Sequence, residues 1–355
     1  MVMSCSTPVV SISKPHKRES CVRKLLHGLF SMAIVLAISA QAADLPAVRP
    51  HPLGKMVDLG GYKLHLYCTG AGRRTVVFLN GAGDFSFDWY LVQRPVSKFA
   101  RACSYDRAGE AWSELGPKPR TGLQEAHDLG RLLRAAHEKG PFLLVGQSMG
   151  GTIARMFQME YPNEVAGIVF VDASHEDGRL FMNGKLARPR DLSKGRPIPA
   201  VRDGVTEKDK LSDDDIAQIK KTVAQYDIKP EIDPPFDKLP VDIQKLRLWA
   251  LAQDSHFAAT DDDYGPEEGA LMYERRHATE HPLGKLPVIV LSRSRNEYPP
   301  RIAEQMTMEH EAQQADLAAL SENSKQIVVP ESGHHIQLDR PDAVVAAIKE
   351  LVDKK

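Results

Sequence analysis

Residues Leu143 to Met156 read LLVGQSMGGTIARM. Three apolar residues lead into Gly146-Gln147-Ser148-Met149-Gly150, and a helix-compatible run follows. A strand turning sharply into a helix forces Ser148 into strained backbone angles, and Gly146 and Gly150 let neighbouring backbone approach closely. The helix N-terminus aims free N–H groups at the place where negative charge develops on a carbonyl under attack. The plainer reading is a serine capping an ordinary strand-to-helix turn. A hydroxyl is a weak nucleophile, so the functional reading demands a base elsewhere in the chain, and a partner to orient that base.

On the N-terminal side, Met56–Leu59 and Tyr62–Cys68 flank Gly60-Gly61 and predict an antiparallel hairpin. Thr75–Leu79 is a continuous apolar run ending at Asn80-Gly81-Ala82-Gly83, as expected of a strand buried on both faces. Ala102–Tyr105 is a shorter candidate strand running into Asp106-Arg107-Ala108-Gly109. Asp106 and Arg107 read as an ion pair fixing that turn. Thr121 caps a predicted helix reaching about Lys139, with Leu123, Ala126, Leu129, Leu132 and Leu133 on one stripe.

On the C-terminal side, Val165–Asp172, Pro287–Leu291 and Gln326–Val329 are further strands, and Pro341 starts a terminal amphipathic helix. Strands alternating with helices predict an α/β fold with a mostly parallel twisted sheet and an antiparallel edge. The interval Ser174–Lys285 breaks this rhythm. It is rich in charge and proline, shows no buried strand, and carries helical stretches at Ser212–Tyr226, Val241–Gln253 and Gly265–Ala278. It reads as a helical insertion, because so long a structureless loop is uncommon.

The last strand runs into Pro330-Glu331-Ser332-Gly333-His334-His335. A histidine on a loop leaving a parallel strand lies at the sheet's carboxyl edge, where Ser148 also sits. His334 is the expected base and His335 the alternative; the remaining histidines read as surface residues. Met149, and Ala82 in the Asn80–Gly83 loop, are the expected N–H donors to an oxyanion.

The chain has 355 residues, 42% hydrophobic and 26% charged, which excludes a disordered or collagen-like polypeptide. A net charge of −1 gives no sign of nucleic-acid binding. The first forty residues differ from the rest: Lys14, Lys17, Arg18, Arg23 and Lys24 precede the apolar Leu29–Ile38, and Ala40 and Ala42 fit an A-x-A cleavage site. This is the layout of a secretory signal peptide over 1–42. An uncleaved anchor is the alternative, although the apolar run falls short of the ~20 residues that span a bilayer. Export to the periplasm or medium is therefore expected, with a mildly acidic mature chain that stays out of the membrane. Cys5 and Cys21 would leave with the signal. By counting alone, Cys68 and Cys103 are either a disulfide or two separate buried thiols.

Five segments together, in this order, resemble the α/β-hydrolase superfamily: NGAG at Asn80–Gly83, YDRAG at Tyr105–Gly109, GQSMGG at Gly146–Gly151, VDASHE at Val171–Glu176 and SGHHIQLDRP at Ser332–Pro341. The resemblance spans nearly all of the mature chain. It implies core segments at 43–173 and 286–355 around a cap at 174–285, as in the esterase, peptidase and dehalogenase-related branch. Two departures are Asn80 where the superfamily often has His, and Gln147 before the serine. The triad acid usually follows the seventh strand; here that strand leads into Ser292–Glu297, which lacks aspartate. The variant position after the sixth strand holds Asp172, a carboxylate costly to bury unless paired, as His334 could pair it. Asp172 is the expected acid, with Glu297, or a purely structural role for Asp172, as alternatives.

The second and fourth strands are neighbours in this superfamily, which favours a disulfide between Cys68 and Cys103. The resemblance implies a serine hydrolase cleaving a small-molecule ester through an acyl-enzyme, with no metal or cofactor. An aminopeptidase of the prolyl-iminopeptidase type acting on amides and a non-catalytic binding protein on the same fold are the alternatives. Nucleophilic serine separates this chain from the aspartate-dependent dehalogenases and epoxide hydrolases.

Overall fold

A computed structural model describes residues 49–182, 185–260 and 266–354; the expected signal segment 1–42, with Cys5 and Cys21, lies outside them. Eight strands form one sheet: β1 (Lys55–Asp58), β2 (Lys63–Thr69), β3 (Thr75–Leu79), β4 (Arg101–Tyr105), β5 (Phe142–Gln147), β6 (Val165–Val171), β7 (Val288–Arg293) and β8 (Ser324–Val329). Their spatial order is β1-β2-β4-β3-β5-β6-β7-β8. β2 is antiparallel to both neighbours, and every pairing from β4 to β8 is parallel.

Helices α1 (Tyr90–Val96), α2 (Gly122–Ala135) and α3 (Met149–Glu160) connect the first strands. Between β6 and β7 lie α4 (Asp213–Gln225), α5 (Val241–Leu251), α6 (Asp254–Thr260) and α7 (Pro266–Ala278), while α8 (Ala303–Ala319) links β7 to β8 and α9 (Pro341–Asp353) ends the chain.

The unbroken apolar run of β3 is buried at all five positions, and alternation sends its side chains to two cores. Val77 and Leu79 join Leu129, Leu132, Ile153 and Phe157 of α2 and α3 on one face. Val76 and Phe78 join Val92 and Val96 of α1 and Val344 and Ile348 of α9 on the other. Each such side chain contributes about 1.5–3 kcal/mol on burial, so the helix stripes, rather than helix propensity, hold the layers together. A third cluster, at Phe85, Phe87, Trp112, Phe236, Ile243, Trp249 and Leu338, joins the segment between β6 and β7 to the loops near the sheet's carboxyl edge.

Several expectations need correction. In the segment between β6 and β7, read from sequence as helical, Leu180–Met182 and Lys185–Ala187 pair as a two-stranded antiparallel sheet. Helix α2 ends at Ala135, short of Lys139, although Thr121 caps it as expected by accepting from the Gln124 N–H at 3.1 Å. Asp106 and Arg107 do not pair with each other. Asp106 sits 2.7 Å from Nδ1 of the fully buried His65, and Arg107 lies 3.6 Å from Glu110 and 3.7 Å from Glu125. His65 and His256 are both buried, so neither is the surface residue expected of it. Cys68 and Cys103 are register partners on β2 and β4, with Cα atoms 4.0 Å and sulfurs 2.08 Å apart.

Candidate active site

Ser148 stands between the end of β5 and the start of α3 with φ 50° and ψ −123°. A left-handed backbone at a non-glycine residue is costly and persists only where the surroundings enforce it. They do so here by close packing. A Cβ on Gly146 would lie 2.4 Å from the Gly150 carbonyl oxygen, and one on Gly150 would lie 2.1 Å from that of Leu79. The strand–turn–helix reading of the quoted stretch therefore holds. The hydroxyl of the half-buried Ser148 lies 3.4 Å from that of Ser174.

The loop after β3 is fixed against this turn. Asn80 accepts from Trp89 Nε1 at 2.9 Å and donates to the Tyr105 carbonyl at 2.9 Å. Arg107 donates to the carbonyls of Asn80 and Gly81 at 3.0 and 2.7 Å. The Gly81 carbonyl also accepts from the Asp84 N–H at 3.3 Å, and Gly81 comes so close that an added Cβ would lie 3.2 Å from that of Ser148. It would also lie 2.2 Å from Gln147 Oε1, a buried acceptor with no hydrogen-bond partner among the described residues. Ala82 follows, exposed, and Met149 opens α3.

His334 reaches the same edge from the loop after β8. Its carbonyl accepts from Gln147 Nε2 at 3.2 Å, which ties that loop to the serine turn. Its Nδ1 lies 2.6 Å from Asp172 Oδ2. A contact that short places the proton on Nδ1 and leaves the Nε2 lone pair free. Asp172, at the carboxyl end of β6, also has a left-handed backbone (φ 43°) and is buried. Its Oδ2 accepts from Arg293 Nη1 at 2.8 Å, and its Oδ1 accepts from the Arg293 N–H at 3.1 Å and from His310 Nε2 at 2.8 Å. Burial alone would push this carboxyl up. The donors on His310 and His334, with the Arg293 charge, instead hold it well below the ordinary carboxylate range.

The alternatives take other positions. Glu297 Oε2 accepts from the His334 backbone N–H at 2.8 Å, so it braces the loop rather than the imidazole. His335 Nε2 faces Asp84 Oδ2 at 3.4 Å. Asp84 also lies 3.3 Å from Arg247 on α5, and the same guanidinium contacts Asp88. Burial raises the Asp88 carboxyl to about 7 against the Arg247 charge, whereas His335 and Arg247 overcome burial at Asp84 and hold it down. Among the described residues, one trio has metal-ligand geometry: Cys68, Cys103 and Glu138. Arg101 already engages both Glu138 oxygens, at 2.6 and 2.8 Å.

A family model described as the alpha/beta hydrolase family matches residues 76–347. The chain belongs to that family. The sheet order and the serine turn are thus those of the α/β-hydrolase fold, as expected. A thermophilic esterase from Thermogutta terrifontis superposes with a TM-score of 0.53 at 19% identity, covering 81% of this chain and 92% of that one. A structure of a putative epoxide hydrolase from Pseudomonas aeruginosa gives 0.57 at 13% identity, covering 84% and 95%. In sequence, the chain is 32% identical over 134 residues to a probable transporter, efuK, of Hormonema carpetanum, covering 36% of this chain and 19% of that one. The chain spans less than half the length of the curated relatives it matches. Among the described residues, no helix is long and apolar enough to cross a membrane.

Sequence reading missed His310, Arg293 and the bracing role of Glu297. Arg293 is the last residue of β7, a position facing the site by topology, and that signal was available. His310 sits mid-helix, 138 residues from Asp172, and carried no local signal.

Proposed function

We propose that this protein is an exported serine hydrolase cleaving a small-molecule carboxylic ester through an acyl-enzyme on Ser148. In this reading the Ser148 hydroxyl attacks the carbonyl carbon while His334 Nε2 takes its proton. Asp172 orients the imidazole and stabilises the imidazolium that forms. The Met149 and Ala82 N–H groups hold the oxyanion, the imidazolium returns its proton to the departing alkoxide, and a water activated by His334 then releases the acid. The observation that carries the reading is the 2.6 Å contact between Asp172 and His334, tied through Gln147 to a serine held at φ 50°. No metal or cofactor takes part in the steps proposed.

Segment 174–285 is proposed as a cap on a core built from 43–173 and 286–355, with Arg247 and Trp249 reaching the loops around the site. Residues 1–42 are proposed as a cleaved signal. The Cys68–Cys103 pair is proposed as a disulfide of the exported chain, which fits an oxidising compartment. The aminopeptidase alternative needs a carboxylate open to a substrate ammonium. Asp84 packs against Gly81 of the loop beside the serine turn, but Arg247 and His335 already meet its charge, which favours the ester.

The test is fluorophosphonate labelling of purified protein beside S148A, followed by p-nitrophenyl esters and proline amides compared at equal enzyme. Labelling confined to the wild type, with ester turnover dominant, supports the reading. Dominant amide turnover transfers it to the peptidase, and absence of labelling favours a binding protein.

A further inference from the structure

Asp172 must serve two cationic or partly cationic neighbours through one oxygen. Its Oδ2 accepts from His334 at 2.6 Å and from Arg293 Nη1 at 2.8 Å, and Nη1 itself lies 3.4 Å from His334 Nδ1. Arg293 also presents its backbone N–H to Oδ1 at 3.1 Å. A permanently charged guanidinium is a strong bidentate partner for a carboxylate. Left with Arg293 alone, the carboxylate would gain by turning both oxygens towards the guanidinium, and His334 would lose the acceptor that fixes its tautomer.

Two donors on Oδ1 oppose that rotation, the Arg293 backbone N–H and, at the shorter distance, a side chain of α8. His310, on α8, donates from Nε2 to Oδ1 at 2.8 Å, on the side of the carboxylate away from His334. Its side chain is 12% exposed and that of Asp172 is 1% exposed, so water competes little for the contact. We propose that His310 is a positioning residue for the triad: by occupying Oδ1 it holds the Asp172 carboxylate in the orientation that gives Oδ2 to His334. This rests on the hydrolase reading above.

The charged and titratable groups around the pair come from each neighbouring element. They are Arg293 with Tyr298, whose ring the guanidinium covers at 4.9 Å, Glu297 and His334 on the adjoining loops, and Glu309 on the helix of His310. Glu309 is engaged by Arg179 at 2.9 Å, so it does not draw His310 away. Facing a carboxylate oxygen, which can only accept, His310 must carry its proton on Nε2 to make this contact.

The discriminating pair is H310L, which removes the donor, and H310Q, whose side-chain amide can donate to Oδ1 without titrating. H310L is expected to lower kcat for a p-nitrophenyl ester by about tenfold or more with little change in KM, since a small misorientation of a catalytic group is costly. It should also move the acid limb of kcat/KM to lower pH, because a looser Asp172 contact weakens proton affinity at His334. H310Q should recover most of the rate. In proton NMR, the low-field resonance of the His334 Nδ1 proton should shift or vanish in H310L and return in H310Q. This last readout does not depend on turnover. If wild-type protein shows the resonance but no esterase activity, the hydrolase reading falls, and the resonance still decides the role of His310. Unchanged kcat, pH limb and resonance in H310L, with only a lower melting temperature, would make His310 merely structural and overturn the proposal.

Discussion

Replacing Asp172 by asparagine tests how much of this site rests on one buried charge. The carboxylate accepts four hydrogen bonds, two from Arg293, one from His334 and one from His310, and the Arg293 side chain is only 9% exposed. Asparagine keeps the size but removes the charge and turns one acceptor into a donor. Breaking a buried ion pair from one side costs about 3–5 kcal/mol, and the surviving amide oxygen puts D172N in the lower half of that range. At roughly 2–4 °C per kcal/mol for a large domain, Tm should fall by about 6–16 °C at pH 7. Because the imidazole loses the acceptor that selects its tautomer, kcat should fall by about 10⁴-fold.

The pH dependence has a definite sign. The folded Asp172 carboxyl is held below its unfolded value, so its contribution is present above that value, near 3.9, and disappears as pH falls through the folded one. The Tm gap between wild type and D172N should be constant above about pH 5 and narrow below pH 4. Scanning calorimetry from pH 3 to 8 with ester kinetics at pH 7 measures both quantities. Equal melting temperatures with kcat within tenfold of wild type would refute the reasoning.

Three further outcomes follow from the same contacts. G81A forces a methyl group to within 2.2 Å of Gln147 Oε1 and 3.2 Å of the Ser148 Cβ, so kcat should drop about a hundredfold while Tm moves little, as ester kinetics and melting will show. Asp88 is raised to about 7 by burial, so its stabilising contribution is complete below pH 4 and is lost as pH rises through 7. D88N, which resembles the protonated acid, should therefore melt with the wild type near pH 3 and increasingly above it as pH rises from 4 to 8. The proposed Cys68–Cys103 disulfide would close a separation of 35 residues and be worth about 3–4 kcal/mol on a chain-entropy basis. Mature protein should titrate no free thiols, and C68A/C103A should melt several degrees lower.

The sheet was legible because its signals are local. β3, β5 and β6 are short apolar runs buried on both faces, and the glycines around Ser148 can be read as a turn before any coordinates exist. The pairing of Asp172 with His334 was legible as well, because a lone carboxylate closing a buried strand demands a partner. The polar network behind it was not. His310 reaches Asp172 across 138 residues from a helix whose amphipathic pattern is weak, and no spacing rule links them. Asp106 and Arg107 were misread for a related reason: adjacent opposite charges suggest a pair, but their side chains leave the strand end in different directions. Asp106 goes to His65 and the Ser86 N–H, and Arg107 goes to the loop carbonyls of Asn80 and Gly81. The paired strands Leu180–Met182 and Lys185–Ala187 are too short for alternation to register.

The most direct measurement is the rate at which a fluorophosphonate modifies the protein, followed by mass-spectrometric location of the adduct. The account predicts stoichiometric modification at Ser148, slowed at least a hundredfold in H334A. Modification at another serine, or an unchanged rate in H334A, would contradict it.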